Sequence, residues 1–141
     1  MAGDRAIEIQ IGAVMSDGTV YAGISPDTGQ AMYTTPRDVE RTFRRGKTEA
    51  FNWEDAMDYA AQFDGHGHKD WRVPTKGEVN VLYHSRAAIG RFDESGSLPG
   101  GWYWSSSQYD YNTAWGQHFC DGKQFYLNLK DTDSSVRCVR G

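Results

Sequence analysis

The sequence predicts an α+β chain that runs strands, then two helices, then strands again, and three observations carry the prediction. Tight-turn pairs between short apolar runs fill the first and last thirds. Two middle segments have helical spacing with start signals of their own, and the first also has a stop. The 141 residues include 5 Trp, 8 Tyr, 6 Phe and 16 Gly beside 4 Pro, a set of large rigid side chains held by many turns and unlike a helix bundle. A mean hydropathy of -0.70 puts many of those aromatics among polar neighbours. They must therefore serve as core or as binding surface.

The elements follow in order. Ile7, Ile9 and Ile11 alternate with Glu8 and Gln10, the period of a half-buried strand. Asp17-Gly18 between Val14-Met15 and Val20-Tyr21 is a hairpin signal, and Ser25-Pro26-Asp27-Thr28-Gly29 is a second turn, followed by an extended run at Ala31-Met32-Tyr33-Thr34 that Pro36 closes. Residues 1–36 thus read as a strand meander. The charged segment from Arg37 to Lys47 reads as a solvated loop or frayed turn, and its arginines are not taken as a phosphate site. Ala56, Met57, Ala60 and Phe63 share a helical face after Trp53, with Asn52 as N-cap and Asp64-Gly65 as stop. Thr75-Lys76-Gly77-Glu78 is a capping box, and Val79, Leu82 and Tyr83 supply the buried face of the helix it starts. Pro74 keeps Trp71-Arg72-Val73 extended. Four further strands are expected at 102–107, 113–119, 124–130 and 136–140, with Asp121-Gly122 as a hairpin turn. The whole reads as one domain, 1–141.

Charge excludes some functions. Fifteen Lys and Arg against 19 Asp and Glu leave a net charge of -4 without long runs of either sign, so there is no nucleic-acid footprint. No apolar stretch approaches the roughly 20 residues of a membrane-spanning helix. Met1-Ala2-Gly3-Asp4-Arg5 lacks the apolar region of a secretory leader, which makes the cytoplasm the default location, with a virion or an exported assembly as the other settings. Cys120 and Cys138 could make one bridge; the missing leader weighs toward free thiols.

Four blocks in the same order are recognisable: Asp70-Trp71-Arg72-Val73-Pro74-Thr75 with Glu78 and Leu82; Trp102-Tyr103-Trp104-Ser105-Ser106-Ser107; Ala114-Trp115 with Phe119 and Asp121-Gly122; and Val136-Arg137-Cys138-Val139-Arg140-Gly141. Over roughly residues 50–141 they resemble the Lcl C-terminal domain family, once a domain of unknown function. The resemblance implies a C-type lectin-like fold, in which two helices flank small antiparallel sheets and the N- and C-terminal strands pair. Trp53, Trp71, Trp102, Trp104, Trp115 and Phe119 are read as framework, since burying a large apolar side chain is worth about 1.5–3 kcal/mol. Arg72, Arg137 and Arg140 are expected to stack and to pair with carboxylates such as Asp70 or Glu78.

The stretch 108–135 has a different character. Tyr109, Asp110, Tyr111, Asn112, Gly116, His118, Cys120, Phe125, Tyr126, Asn128, Asp131 and Asp133 are chemically scattered and form the candidate ligand-binding set. Tyr with small polar residues on rigid turns is the palette of paratopes. Alternation puts Phe125, Leu127 and Leu129 on one strand face and Tyr126 and Asn128 on the other, and one of the two faces should be core. Similar domains occur as variable proteins of diversity-generating retroelements, in which adenine-directed mutagenesis of asparagine-type codons randomises surface positions; the residues of this candidate set are reachable from such codons. The expectation is a non-catalytic domain that recognises a protein or glycan ligand, in the manner of a receptor-recognition module. No catalytic residue, metal or cofactor is assigned.

The alternatives are a metal-dependent enzyme and an oligomerising adhesin-type head. Formylglycine-generating and ergothioneine-forming enzymes share the broad fold class, but the blocks that mark them are not evident, and a shared fold does not carry chemistry with it. His66 and His68 form a His-x-His without a third ligand at diagnostic spacing. Asp110, Asn112, Asp131 and Asp133 could give oxygens to calcium; the Glu-Pro-Asn and Trp-Asn-Asp signatures of sugar-binding lectins are absent.

Overall fold

The fold is given by a computed structural model that describes residues 9–39, 41–43, 46–48, 50–97 and 101–141. Ile7 and Glu8 lie outside these residues. Ile9 and Ile11 are not in a strand and are about half exposed, 45% and 42%. The reason is local: Gly12 takes φ +95° and the Ala13 N–H turns back onto the Gln10 carbonyl, so the chain reverses before that alternation can pair. The first pairing is the expected one around Asp17-Gly18, a bridge between Val14 and Val20 in which the Asp17 carboxylate accepts from the N–H and hydroxyl of Thr19.

Strands β1 (Val20–Ile24) and β2 (Ala31–Thr34) are antiparallel across the Ser25–Gly29 turn. The charged segment that follows is a two-stranded ribbon, β3 (Arg41–Phe43) with β4 (Gly46–Thr48), and not a loop. Charge does not bar backbone pairing, and β-branched Thr42 and Thr48 favour it. After β5 (Ala50–Phe51), Asn52 caps α1 (Trp53–Gln62) by accepting the Asp55 N–H at 2.8 Å. Thr75 caps α2 (Lys76–His84), and both reciprocal bonds of the capping box form. A third short helix, α3 (Arg86–Ile89), follows Ser85 and stops at Gly90; the expectation of two helices merged or missed it because it adds only one turn.

The last third gives β6 (Trp102–Gln108), β7 (Thr113–His118), β8 (Gln124–Leu129), β9 (Ser134–Ser135) and β10 (Val139–Arg140). The terminal strand is shorter than expected, and the unforeseen β9 lies between β5 and β6 in a five-stranded sheet of order β5-β9-β6-β7-β8. β10 pairs antiparallel with β2, Val139 opposite Thr34 and Arg140 opposite Tyr33, in the sheet β1-β2-β10. Arg72 and Val139 also exchange both backbone bonds at 2.9 Å. The N- and C-terminal strands are thus joined, as a C-type lectin-like α+β fold requires.

Successive residues of β6 face opposite sides of the sheet and enter separate cores. Trp104 packs with Phe51, Trp53, Ala56, Trp71 and Val136 on the α1 side. Tyr103 packs with Val20, Met32, Leu82, Phe119 and Val139 on the α2 side.

Two polar networks lock these layers. Glu78, fully buried, accepts from both terminal guanidinium nitrogens of Arg72, from the Ser25 hydroxyl and from the Thr75 N–H. Burial pushes its carboxyl up, but the bonds from Arg72, Ser25 and Thr75 prevail and bring it down to about 2. Arg137, 1% exposed, bonds Asp38 at 2.9 Å and the carbonyls of Thr35, Gly90 and Arg91, with its guanidinium 3.9 Å over the Phe92 ring. The Tyr103 hydroxyl donates to the other Asp38 oxygen at 2.6 Å. Burial and the Asp38 charge hold that phenol protonated well above its ordinary range. Arg140 pairs with Asp70 at 2.7 Å. Both cysteines are free, and burial pushes the Cys138 thiol up to about 12. No helix among the described residues is long and apolar enough to cross a membrane.

Candidate ligand-recognition face

The candidate residues occupy the β6–β7–β8 end of the five-stranded sheet, where β8 is the edge strand. The hairpin tip at 109–112 is built by Asp110, whose carboxylate accepts from the N–H of Asn112 and from the N–H and hydroxyl of Thr113. These bonds, the Thr113 hydroxyl foremost, hold the Asp110 carboxyl below the usual carboxylate range. The mostly buried Lys130 braces the tip from below. Its ammonium donates to Gln108 at 2.7 Å and to the Tyr111 carbonyl at 3.0 Å while lying over the Trp53 ring, and its N–H bonds the Asn112 carbonyl. Tyr111 therefore stands 89% exposed on a pinned turn.

Pairing partners share a sheet face, which sorts the aromatics into two groups. A bulge between Ala114 and Gly116 sets Gly116 against Phe125 and Ala114 against Asn128, leaving Trp115 opposite two residues. On the α2 side, Tyr126 packs against Tyr109 and Trp115 with ring centroids 4.6 and 5.4 Å apart, and the Lys76 ammonium sits 3.6 Å over the Trp115 ring. On the other side, Trp102 stacks on His118 at 4.5 Å and meets the edge of Phe125. Phe125, Tyr126 and Leu129 are all substantially exposed. Among the described side chains of β8 no core face of the kind expected is seen, because β8 is an edge strand and the bulge breaks the alternation.

Sequence comparison bears on the same framework. A family model described as the Lcl C-terminal domain matches residues 28–140. The chain belongs to the Lcl C-terminal domain family. No curated protein matches it. The match begins upstream of the region suggested by the four sequence blocks, so the family unit takes in β2 and the β3–β4 ribbon. Within this Lcl C-terminal domain the blocks fall on the locks described above: Arg72 and Glu78, Trp104, and Arg137 with the closing strand.

The domain does not present all the predicted site residues alike. Tyr109, Asp110, Tyr111, Asn112, Cys120, Phe125, Tyr126, Asp131 and Asp133 are exposed, and His118 is partly so. Gly116 is buried between Trp104 and Phe125 in register, so it shapes the face without forming it. Asn128 lies on β8, and its side chain is outside the described residues. Among the described residues Asp110, Asp131 and Asp133 do not gather into an ion site. His66 and His68 both turn to Asp17, at 3.0 Å to its carbonyl and 2.6 Å to its carboxylate.

Sequence reasoning missed three contributors. Trp102 and Trp115, read as framework, are only half-buried and carry the two aromatic groups. Lys76 sits at the start of α2, and only the fold brings it to Trp115. The fourth feature is a side-chain grouping: His118, Cys120 and Asp121 bring one ligand-type atom each within 4.8 Å of one another.

Among the described residues, a cleft lined by Asn52, Glu54, Asp55, Lys130 and Asp131 reaches the candidate set, and two others lie away from it. One of about 270 Å³ is lined by Thr35 to Val39 with Phe63 and His66.

Proposed function

We propose that this domain is a non-catalytic recognition module that binds a protein or glycan through the β6–β7–β8 edge and the 109–112 tip. The observation that carries the reading is the exposed aromatic surface of Tyr109, Tyr111 and Tyr126, packed on the half-buried Trp115 beside a hairpin tip pinned by Asp110 and Lys130. Tyr and Trp supply contact area at low conformational cost, and a pre-organised turn lowers the entropy lost on binding. An enzyme would more often place its chemistry in a concave pocket, whereas this face is an exposed strand edge and hairpin tip rich in rings. The scatter of residue types over 108–135, set on a framework locked by residues outside it, further supports a surface diversified by a retroelement.

The test uses an array of immobilised glycans and a displayed peptide library. Binders of the native chain are expected to be lost when Tyr109, Tyr111 and Tyr126 are replaced together by Ser. Tyr111 alone should cost no more than about 0.5 kcal/mol of stability, as exposed positions do. The pair Tyr109 and Tyr126 should cost on the order of 1 kcal/mol for their ring contact. Binders retained by the triple variant, or a melting temperature that collapses, count against this surface. The diversification is tested by sequencing sister copies of the gene, where substitutions should fall at adenines within codons 108–135.

A further inference from the structure

His118 sits where the loop 93–97 meets the turn between β7 and β8, and both of its ring nitrogens face acceptors. Nε2 is 3.2 Å from the Gly96 carbonyl oxygen and Nδ1 is 3.3 Å from an Asp121 carboxylate oxygen. A neutral imidazole has one N–H, whereas an imidazolium has two. Only the charged ring can donate to both acceptors at once.

The surroundings accommodate that charge. Trp102 lies parallel to the ring at 12°, with centroids 4.5 Å apart, and an indole face attracts a cation. The Lys123 N–H and, after it, the His118 charge hold the Asp121 carboxyl below the usual carboxylate range, so it stays an acceptor wherever histidines titrate. The Cys120 sulfur is 3.4 and 3.6 Å from the two nitrogens, lies on neither N–H axis and displaces neither bond. Other titratable groups on the packed elements turn elsewhere: Glu94 to Arg86, Asp93 to Ser95, the Lys123 ammonium to the Phe125 ring, Tyr103 to Asp38 and Tyr126 to Trp115. Gly96 makes the approach possible. Its φ is +78°, and a Cβ there would come 3.2 Å from the Cys120 sulfur and 3.6 Å from the His118 Nε2.

We propose that His118 is a proton-operated clasp, closed on both Gly96 and Asp121 when the ring is charged and open at Gly96 when it is neutral. A carboxylate is the stronger acceptor, so the Nδ1 proton stays with Asp121 and the proton released to solvent leaves from Nε2. The lone pair left on Nε2 then faces those of the carbonyl oxygen, and the 93–97 loop loses this tie to the sheet. Histidines change charge between about pH 5 and 8. The clasp is complete at the acid end of that span and opens as the pH rises. It borders the edge assigned to recognition and does not depend on that assignment.

Ring nitrogen-15 NMR of the native chain reads the proton positions directly. Both His118 nitrogens should carry protons at about pH 5, and the neutral ring at about pH 8 should be the Nδ1–H tautomer, the minor one in free histidine. Hydrogen exchange, corrected for the intrinsic effect of pH, should find the Ser95 and Ser97 amides, which are bonded within the loop, less protected at the higher pH. The expected fall is about three- to tenfold, the range for loss of one hydrogen bond. His118→Gln should remove this pH dependence, and Cys120→Ser should leave it. Tryptophan emission should rise with pH as the stacked imidazolium ceases to quench Trp102. Because His66 and His68 stand edge-on to Trp71, the quantity to follow is the difference between the native chain and His118→Gln. A neutral ring found as the Nε2–H tautomer overturns the clasp. So does loop protection that is flat or increases across this span, or a pH dependence that survives His118→Gln. Circular dichroism checks the fold of each variant, and the NMR and exchange measurements on the native chain decide the matter without one.

Discussion

Replacing Arg137 by Met is expected to lower stability by about 3–5 kcal/mol, the usual result of removing one partner from a buried ion pair. The loss is larger than the transfer of one side chain because Asp38, 6% exposed, keeps its charge and loses the guanidinium that faces it. Three carbonyls, of Thr35, Gly90 and Arg91, lose their donor at the same time. Equilibrium unfolding in urea would read the effect, and the melting temperature should fall by roughly 10 °C or more. Lys at this position should recover little, since a point charge cannot satisfy carbonyls spread around a planar fork. Adding Asp38→Asn to the Met variant should return part of the loss by removing the buried charge that Arg137 faced. A single variant that melts within a degree or two of the native protein would show that Arg137 is not the lock.

The second large effect is expected at Glu78. Its carboxyl lies at about 2 in the fold against 4.5 without it, so its contribution is complete above about pH 4.5 and falls away as the pH drops toward 2. The difference corresponds to about 3 kcal/mol. Glu78→Gln should therefore be destabilised by an amount of that order at pH 7, and the gap to the native protein should close as the pH falls through this window. Asp17 and Asp70 are also held low, by His68 and Arg140 respectively; both proteins share that acid sensitivity, so it cancels in the difference. A constant gap from pH 7 to pH 3 would contradict the assignment.

What the sequence made legible follows the range of the forces involved. Asn52, the Thr75–Glu78 box and the Asp17-Gly18 and Asp121-Gly122 turns act over two to five residues, and their atoms are close whatever the rest of the chain does. Asp70 and Glu78 could be named as carboxylate partners because they stand in the same block as Trp71, though which arginine each takes, Arg140 and Arg72 respectively, is set by the fold. Asp38 could not be matched to Arg137, which lies 99 residues away, and it stands beside a run of charges that suggested solvent. Large apolar residues suggested core, but burial also depends on sheet position. Trp104 is covered by α1, whereas Trp115 faces the open edge next to the bulge. For the same reason Gly116 and the pair Ser134 and Ser135 looked like surface: small and polar residues do not announce that two strands will close over them. His118, Cys120 and Asp121 were each visible, but whether they meet depends on how a hairpin turn folds back, and no periodicity encodes that.

The seam between β2, Arg72 and β10 has a consequence for synthesis. The hairpins β6–β7 and β7–β8 pair close neighbours and can form as soon as they emerge, but the seam needs Val139, and the Asp38 lock needs Arg137. Both follow the 108–135 stretch in translation. A stop or a frameshift anywhere in that stretch removes them together, leaving two half-covered cores and an unpaired β2 edge for proteases and chaperones to recognise. The seam thus acts as a reading-frame check: a chain that closes it has carried the preceding stretch through in frame.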